Sequence, residues 1–169
     1  MNRAVVLTIS DSRSRGAAED RSGPLAVERM AAMGLAVDGP DVIPDDLETI
    51  RDAVRAAATS AALVVTTGGT GVGVRDVTPE ALAPIFDRQL PGFGEIMRTG
   101  GFASTPLSII SRGGAGVIGR CLVVMLPGSP GGVRDGLELL GPAIRHVLKV
   151  LSDAPNDCEA ASQRSDQAR

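Results

Sequence analysis

Residues 63–80 run from the apolar stretch Leu63-Val64-Val65-Thr66-Thr67 into Gly68-Gly69-Thr70-Gly71-Val72-Gly73-Val74-Arg75-Asp76 and then into Val77-Thr78-Pro79-Glu80. A strand that empties into a glycine-rich loop ahead of a helix is a place for anions, because glycines leave backbone N–H groups unshielded and allow positive φ. Thr78 reads as an N-cap with Pro79 at the first helical position, so the helix dipole is expected to favour the same negative charge. Asp76 lies inside this loop. A carboxylate beside a phosphate needs a cation between them, which points to a metal–phosphate site. A plain turn explains the stretch poorly, since strand-to-helix connections usually take about 2–6 residues.

Asp45 is the second carboxylate of interest. It reads as an N-cap with Glu48 three residues on, and such a cap is worth about 1 kcal/mol without any catalytic duty. In an open α/β sheet, however, ligands collect outside the carboxyl ends of the strands. Asp45, Asp76, Ser10-Asp11 and Pro127-Gly128 all follow strand-like runs. Two carboxylates within about 4 Å would repel by roughly 4 kcal/mol at an effective dielectric near 20, so they share a proton or hold a divalent cation. With Lys149 the only lysine, a magnesium–nucleotide is the expected counter-charge.

Familiar alternatives fail on position. Gly114-Ala115-Gly116-Val117-Ile118-Gly119 satisfies G-x-G-x-x-G but precedes the apolar run 121–126 instead of following a first strand, which argues against a dinucleotide fold. No Gly-Lys-Ser or Gly-Lys-Thr occurs, so there is no Walker loop. Ser129 lacks nucleophile spacing and reads as an N-cap before Pro130, while the single histidine, His146, falls within the last helical stretch.

The elements that must position these residues alternate between strand and helix. Strands are expected at 4–9, 35–43, 62–67 and 121–126, and helices at 24–33, from Asp45 onward, at 79–88 and after Pro91 until Gly100-Gly101 interrupts. Residues 10–16 read as loop, and 108–117 fits either a helix end or a short strand. Val133, Leu137, Leu140, Ile144, Val147 and Leu151 make one apolar stripe on a last helix. The pattern predicts an α/β fold with a mainly parallel sheet covered on both faces. Residues 1–152 form one expected domain, and 153–169 an expected disordered tail.

Composition narrows the function. The 169 residues suit one domain; aromatics are 2%, with no Trp or Tyr, and net charge is −3, so stacking and electrostatic platforms for nucleic acid are nearly absent. Cys121 and Cys158 show no metal-ligand spacing, and the N-terminal apolar run is short for a signal peptide. A cytoplasmic protein with no membrane segment is expected.

Ile9-Ser10-Asp11, Ile43-Pro44-Asp45, Thr66-Thr67-Gly68-Gly69-Thr70-Gly71 with Arg75-Asp76-Val77-Thr78-Pro79-Glu80, Pro91-Gly92-Phe93-Gly94-Glu95, Ser111-Arg112 and Leu126-Pro127-Gly128 occur in one order over about residues 5–151. In that order they resemble the molybdopterin adenylyltransferases of molybdenum cofactor biosynthesis, the MogA and MoaB proteins. The resemblance implies a three-layer α/β/α sandwich of molybdopterin-binding type, usually trimeric and sometimes hexameric. It implies Mg²⁺ and ATP, transfer of AMP to the phosphate of molybdopterin with release of pyrophosphate, and a downstream molybdenum-insertion protein as partner. Asp45 and Asp76 match the essential aspartates that would place Mg²⁺ on the nucleotide. Gly68, Gly69, Thr70 and Gly71 match the phosphate-binding segment, beside the helix begun at Thr78. Ser10, Asp11, Glu95, Ser111, Arg112, Pro127 and Gly128 fall on pocket motifs, and Arg75 and Arg112 are candidate phosphate-binding cations. The first loop, 11–22, departs from many members, and Gly73-Val74 replaces a more basic pair of some relatives. The alternative is a MoaB-like carrier or assembly subunit that binds molybdopterin without adenylating it.

Overall fold

The computed structural model describes residues 2–152. The expected tail, 153–169, lies outside the described residues. Among them, β1 (Arg3–Ile9), β2 (Ala36–Ile43), β3 (Leu63–Thr67), β4 (Arg88–Gln89), β5 (Gly114–Ile118) and β6 (Cys121–Leu126) form one sheet in the order β2-β1-β3-β6-β5-β4. The β2-β1-β3-β6 pairings are parallel, whereas β5 and β4 join antiparallel at one edge, so the sheet is mixed. The inner parallel strands β3 and β6 are buried along their whole length, and β1 beyond Arg3, because both of their faces are covered, whereas the edge strand β2 carries Asp38 and Asp41 and has no buried residue.

Side-chain alternation divides the core into two. Ala4 and Val6 of β1, Leu63 and Val65 of β3, and Leu122, Val124 and Leu126 of β6 face α2 (Ser22–Ala32), α5 (Pro91–Phe102) and α6 (Pro130–Leu151). Val5, Leu7, Ile9, Val64, Val123 and Met125 face α3 (Leu47–Ala58) and α4 (Thr78–Leu82). The three-layer α/β/α sandwich expected from the sequence is the fold found. On α6 the stripe residues Val133, Leu137, Leu140 and Ile144 are all buried, and Ser129 caps the helix by accepting from the Gly132 N–H at 3.1 Å.

Several local expectations change. Residues 10–16 contain a one-turn helix, α1 (Asp11–Ser14), capped by Ser10. The helix expected over 79–88 is only α4 followed by a 3₁₀ turn (Ala83–Ile85), because Pro84 has no N–H for the Glu80 carbonyl. Gly100-Gly101 does not interrupt α5. A Cβ on Gly100 would lie 2.8 Å from Leu139 and one on Gly101 3.2 Å from Ser108, so the glycines admit close neighbours at a helix-propensity cost of about 1 kcal/mol each. The ambiguous 108–117 segment resolves into a 3₁₀ turn (Pro106–Ile110) and the strand β5. Gly114, Gly116 and Gly119 therefore belong to a β5–β6 hairpin and not to a strand-to-helix turn.

Candidate functional site

The site gathers at the carboxyl edge of β1, β2, β3 and β6. The β3 loop is shaped by two left-handed residues, Gly68 (φ 108°) and Gly69 (φ 64°). A Cβ on Gly68 would collide with the Ile9 carbonyl, and one on Gly69 with the Thr78 hydroxyl. The Gly68 N–H closes on the Leu126 carbonyl at 3.1 Å, so that amide is already used. The N–H groups of Gly69, Thr70 and Gly71 donate to no acceptor among the described residues.

Thr78 has a different place from the one its sequence suggests. Val77 precedes the helix, Thr78 is its first residue, and the buried Thr78 hydroxyl donates to the Gly68 carbonyl at 2.9 Å. It locks the loop from behind, and the five-residue α4 offers no long dipole for a phosphate. Asp45 is likewise not the cap of α3. Asp46 is, accepting from the Thr49 N–H at 2.9 Å and from the Thr49 hydroxyl, which hold its carboxyl below the usual range.

Freed of capping, Asp45 faces the first loop. Its Oδ2 accepts the Asp11 N–H at 2.8 Å, and its own N–H donates to Asp11 Oδ1 at 3.2 Å. Asp76 is held by its own loop, where Oδ2 accepts the Gly73 N–H at 2.9 Å and its N–H returns to the Gly73 carbonyl at 2.9 Å. Each aspartate thus has Oδ2 tied to backbone, while Oδ1 has no hydrogen-bond partner among the described residues. Both flank the glycine loop. A Cβ on Gly69 would sit 3.4 Å from Asp45 Oδ1, and one on Gly71 2.8 Å from Asp76 Oδ2.

Two cavities meet at these carboxylates. The larger, about 510 Å³, is bounded by the loop Gly68 to Gly71, Ser111, Pro127-Gly128 and an apolar wall including Met97 and Leu107. The smaller, about 390 Å³, is lined by Asp11, Ser12, Gly73, Val74 and Arg75. Ser10, Asp45 and Asp76 line both. Among the described residues no group of three or more His, Cys, Asp and Glu could hold a metal. Two carboxylates with free oxygens suit a Mg²⁺ that keeps most of its ligands from phosphates and water.

The remaining sequence candidates divide. Arg75 is exposed and lies 3.5 Å from Asp11 Oδ2. Arg112 lines neither of these two cavities. Its Nε donates to the Gly71 carbonyl at 2.7 Å, Nη2 to the Asp76 carbonyl at 2.6 Å and Nη1 to Glu80, and its backbone N–H donates to the Thr70 carbonyl at 2.8 Å. It binds the loop, and the Arg112 hydrogen bond holds the Glu80 carboxyl below its ordinary value. Glu95 is on the exposed side of α5 and lines neither cavity.

Sequence reasoning passed over Arg13 and Asp20. Arg13, on α1, lines the larger cavity. Asp20 accepts from the Thr8 hydroxyl (2.7 Å), the Ser22 hydroxyl and the N–H groups of Ser22 and Gly23 (3.1 Å each), anchoring the start of α2. Burial works to raise its pKa, but these hydrogen bonds prevail and lower it. The signal was present in Asp20-Arg21-Ser22-Gly23-Pro24, an acidic acceptor just ahead of a helix start. Cys121, by contrast, is a buried β6 residue whose thiol is pushed up to about 12 by burial and is therefore unreactive.

A three-layer sandwich whose cavity lies at the carboxyl ends of the parallel strands, lined by Asp45, Asp76 and a glycine loop, is the arrangement of an open-sheet α/β protein. Residues 5–146 match the family model described as "Probable molybdopterin binding domain", and the chain belongs to that family, whose place is in molybdenum cofactor biosynthesis. It is 40% identical over 150 residues to the molybdenum cofactor biosynthesis bifunctional protein of Chlorobaculum tepidum, covering 88% of this chain but only 48% of that one. The chain thus spans about half the length of that relative. It is 38% identical over 149 residues to the molybdopterin adenylyltransferase of Pyrococcus furiosus, covering 85% and 88% of the two chains. The crystal structure of the molybdopterin biosynthesis enzyme MoaB from Thermus thermophilus superposes with a TM-score of 0.85 at 39% identity, covering 92% of this chain and 99% of that one. Among the described residues no helix is long and apolar enough to cross a membrane.

Proposed function

We propose that the chain adenylylates molybdopterin, transferring AMP from Mg-ATP to the pterin phosphate and releasing pyrophosphate. The observation that carries this is the shared wall: Asp45 and Asp76 stand between two cavities, each with one carboxylate oxygen fixed by backbone and the other open. Two substrates that must meet at one phosphorus suit two cavities joined by charge-bearing residues. The Pyrococcus furiosus relative bears the name of this activity.

The chemistry asks the protein mainly for alignment and charge stabilisation. The pterin phosphate is already an anionic nucleophile, so no histidine base is needed, which agrees with His146 lying on α6 away from both cavities. The N–H groups of Gly69, Thr70 and Gly71 are the donors left for phosphate oxygens. Asp45 and Asp76 would hold the nucleotide's Mg²⁺, which supplies Lewis-acid neutralisation of phosphate charge. Ser10 reaches both cavities, and Arg75 brings positive charge to the smaller one.

A homo-oligomer, with a trimer as first expectation, is part of the proposal. Phe102, Leu107 and Ile109, at the end of α5 and in the following 3₁₀ turn, are 50%, 70% and 62% exposed in the single chain, an apolar surface that a second copy would cover. Asp76→Ala tests the catalytic reading: AMP transfer should fall at least about 100-fold with the fold retained. Transfer at the wild-type rate with Mg²⁺ present would sink the role given to Asp76.

A further inference from the structure

Among the described residues Arg13 is the one cationic side chain lining the larger cavity, whose other charged lining residues are Asp45, Asp76 and Asp135. Asp135 is paired with its neighbour Arg134 at 2.9 Å. Arg13 itself is half-buried and anchored along one edge. Its Nε donates to the Glu19 carbonyl at 3.2 Å and lies 3.9 Å from Asp20 Oδ1. Asp20 is fixed by its four hydrogen bonds from Thr8, Ser22 and Gly23, so this anchor does not swing freely.

The opposite edge of the guanidinium is uncommitted. Nη1 and Nη2 of Arg13 make no hydrogen bond to any described residue. The contrast with Arg112 is direct, because all three Arg112 nitrogens are consumed by Gly71, Asp76 and Glu80. A guanidinium held by Nε with its Nη fork open is prearranged for two parallel bonds to a phosphate.

We infer that Arg13, not Arg112, is the side chain that grips a substrate phosphate in the larger cavity. This rests on the adenylyltransferase reading for the identity of the ligands, nucleotide or pterin, whose phosphates share the recognised chemistry. It also gives the divergent first loop a duty: α1 carries the cation, and the Asp20 network holds it in place.

The test is equilibrium binding to the full chain, with ATP in one arm and molybdopterin in the other, for wild type, Arg13→Gln and Arg13→Lys. Arg13→Gln keeps a donor for the Glu19 carbonyl and removes the charge. Its affinity for one of the two ligands should fall about 10- to 100-fold, as expected for charged hydrogen bonds, and Arg13→Lys should recover part of that loss. Loss in the ATP arm assigns the nucleotide phosphate, and loss in the molybdopterin arm the pterin phosphate. Steady-state kinetics should place the defect mainly in KM for the same ligand. Unchanged affinity for both ligands in folded Arg13→Gln, or a loss matched by loss of folded protein, overturns the inference. Wild-type protein that binds ATP in an Arg13-dependent way yet transfers no AMP would instead contradict the adenylyltransferase reading and leave the Arg13 site standing.

Discussion

Asp11 and Asp45 clasp each other through their backbones, each N–H donating to the other's carboxylate at 2.8 and 3.2 Å. The clasp joins the end of β1 to the end of β2 and fixes the orientation of Asp45 against the first residue of α1 rather than at the head of α3. It leaves Asp45 Oδ1 open beside the glycine loop.

Asp45→Asn keeps an oxygen for the Asp11 N–H and removes the charge. Activity is expected to fall by at least about 100-fold while Tm stays near wild type. Asp46→Ala is the complement, because it removes the observed α3 cap: Tm should fall and transfer per folded molecule should persist. Assays of both variants beside thermal melts separate the two aspartates, and the reverse pattern would restore Asp45 as the cap.

Arg112 should respond to shape as much as to charge. Its guanidinium reaches three acceptors on the segment from Gly71 to Glu80, and an ammonium cannot span all three. Arg112→Lys should therefore lose most of kcat, nearly as much as Arg112→Ala, through a misplaced Asp76. Full activity in Arg112→Lys, measured at saturating substrate, would show that charge alone suffices.

Gly69→Ala forces a left-handed φ onto alanine and drives its Cβ against the Thr78 hydroxyl. A stability loss of about 1–3 kcal/mol is expected in urea titrations. A neutral result would mean that the loop adopts another backbone path.

Acid should weaken the protein through Asp20. Its folded pKa is lowered from 3.8, so its contribution is complete above the unfolded value and disappears as pH falls through the folded one. Melting curves between neutral pH and strongly acid pH should show a limb below about pH 4 that Asp20→Asn flattens. An unchanged limb would assign acid sensitivity to other carboxylates.

Much of the fold was legible because burial on both faces writes strands as mainly apolar runs, as in residues 63–65 and 121–126. Helix ends were less legible. Asp45 and Asp46 are adjacent and equally able to cap, and only the tertiary partner Asp11 decides between them. Gly100-Gly101 looked like a break because propensity cannot report Leu139 and Ser108 packed against the helix. The same limit governs the arginines: Arg13 and Arg112 carry the same group, and only the placement of Glu19, Gly71 and Asp76 around them separates an open fork from a spent one.

The most direct test of adenylyl transfer is a single-turnover incubation of the full chain with molybdopterin and Mg-ATP, following AMP on the pterin and pyrophosphate in solution. Stoichiometric appearance of adenylylated molybdopterin together with pyrophosphate, abolished in Asp76→Ala, is the result expected. Molybdopterin held by the protein while ATP remains intact would contradict it and establish a carrier in place of an enzyme.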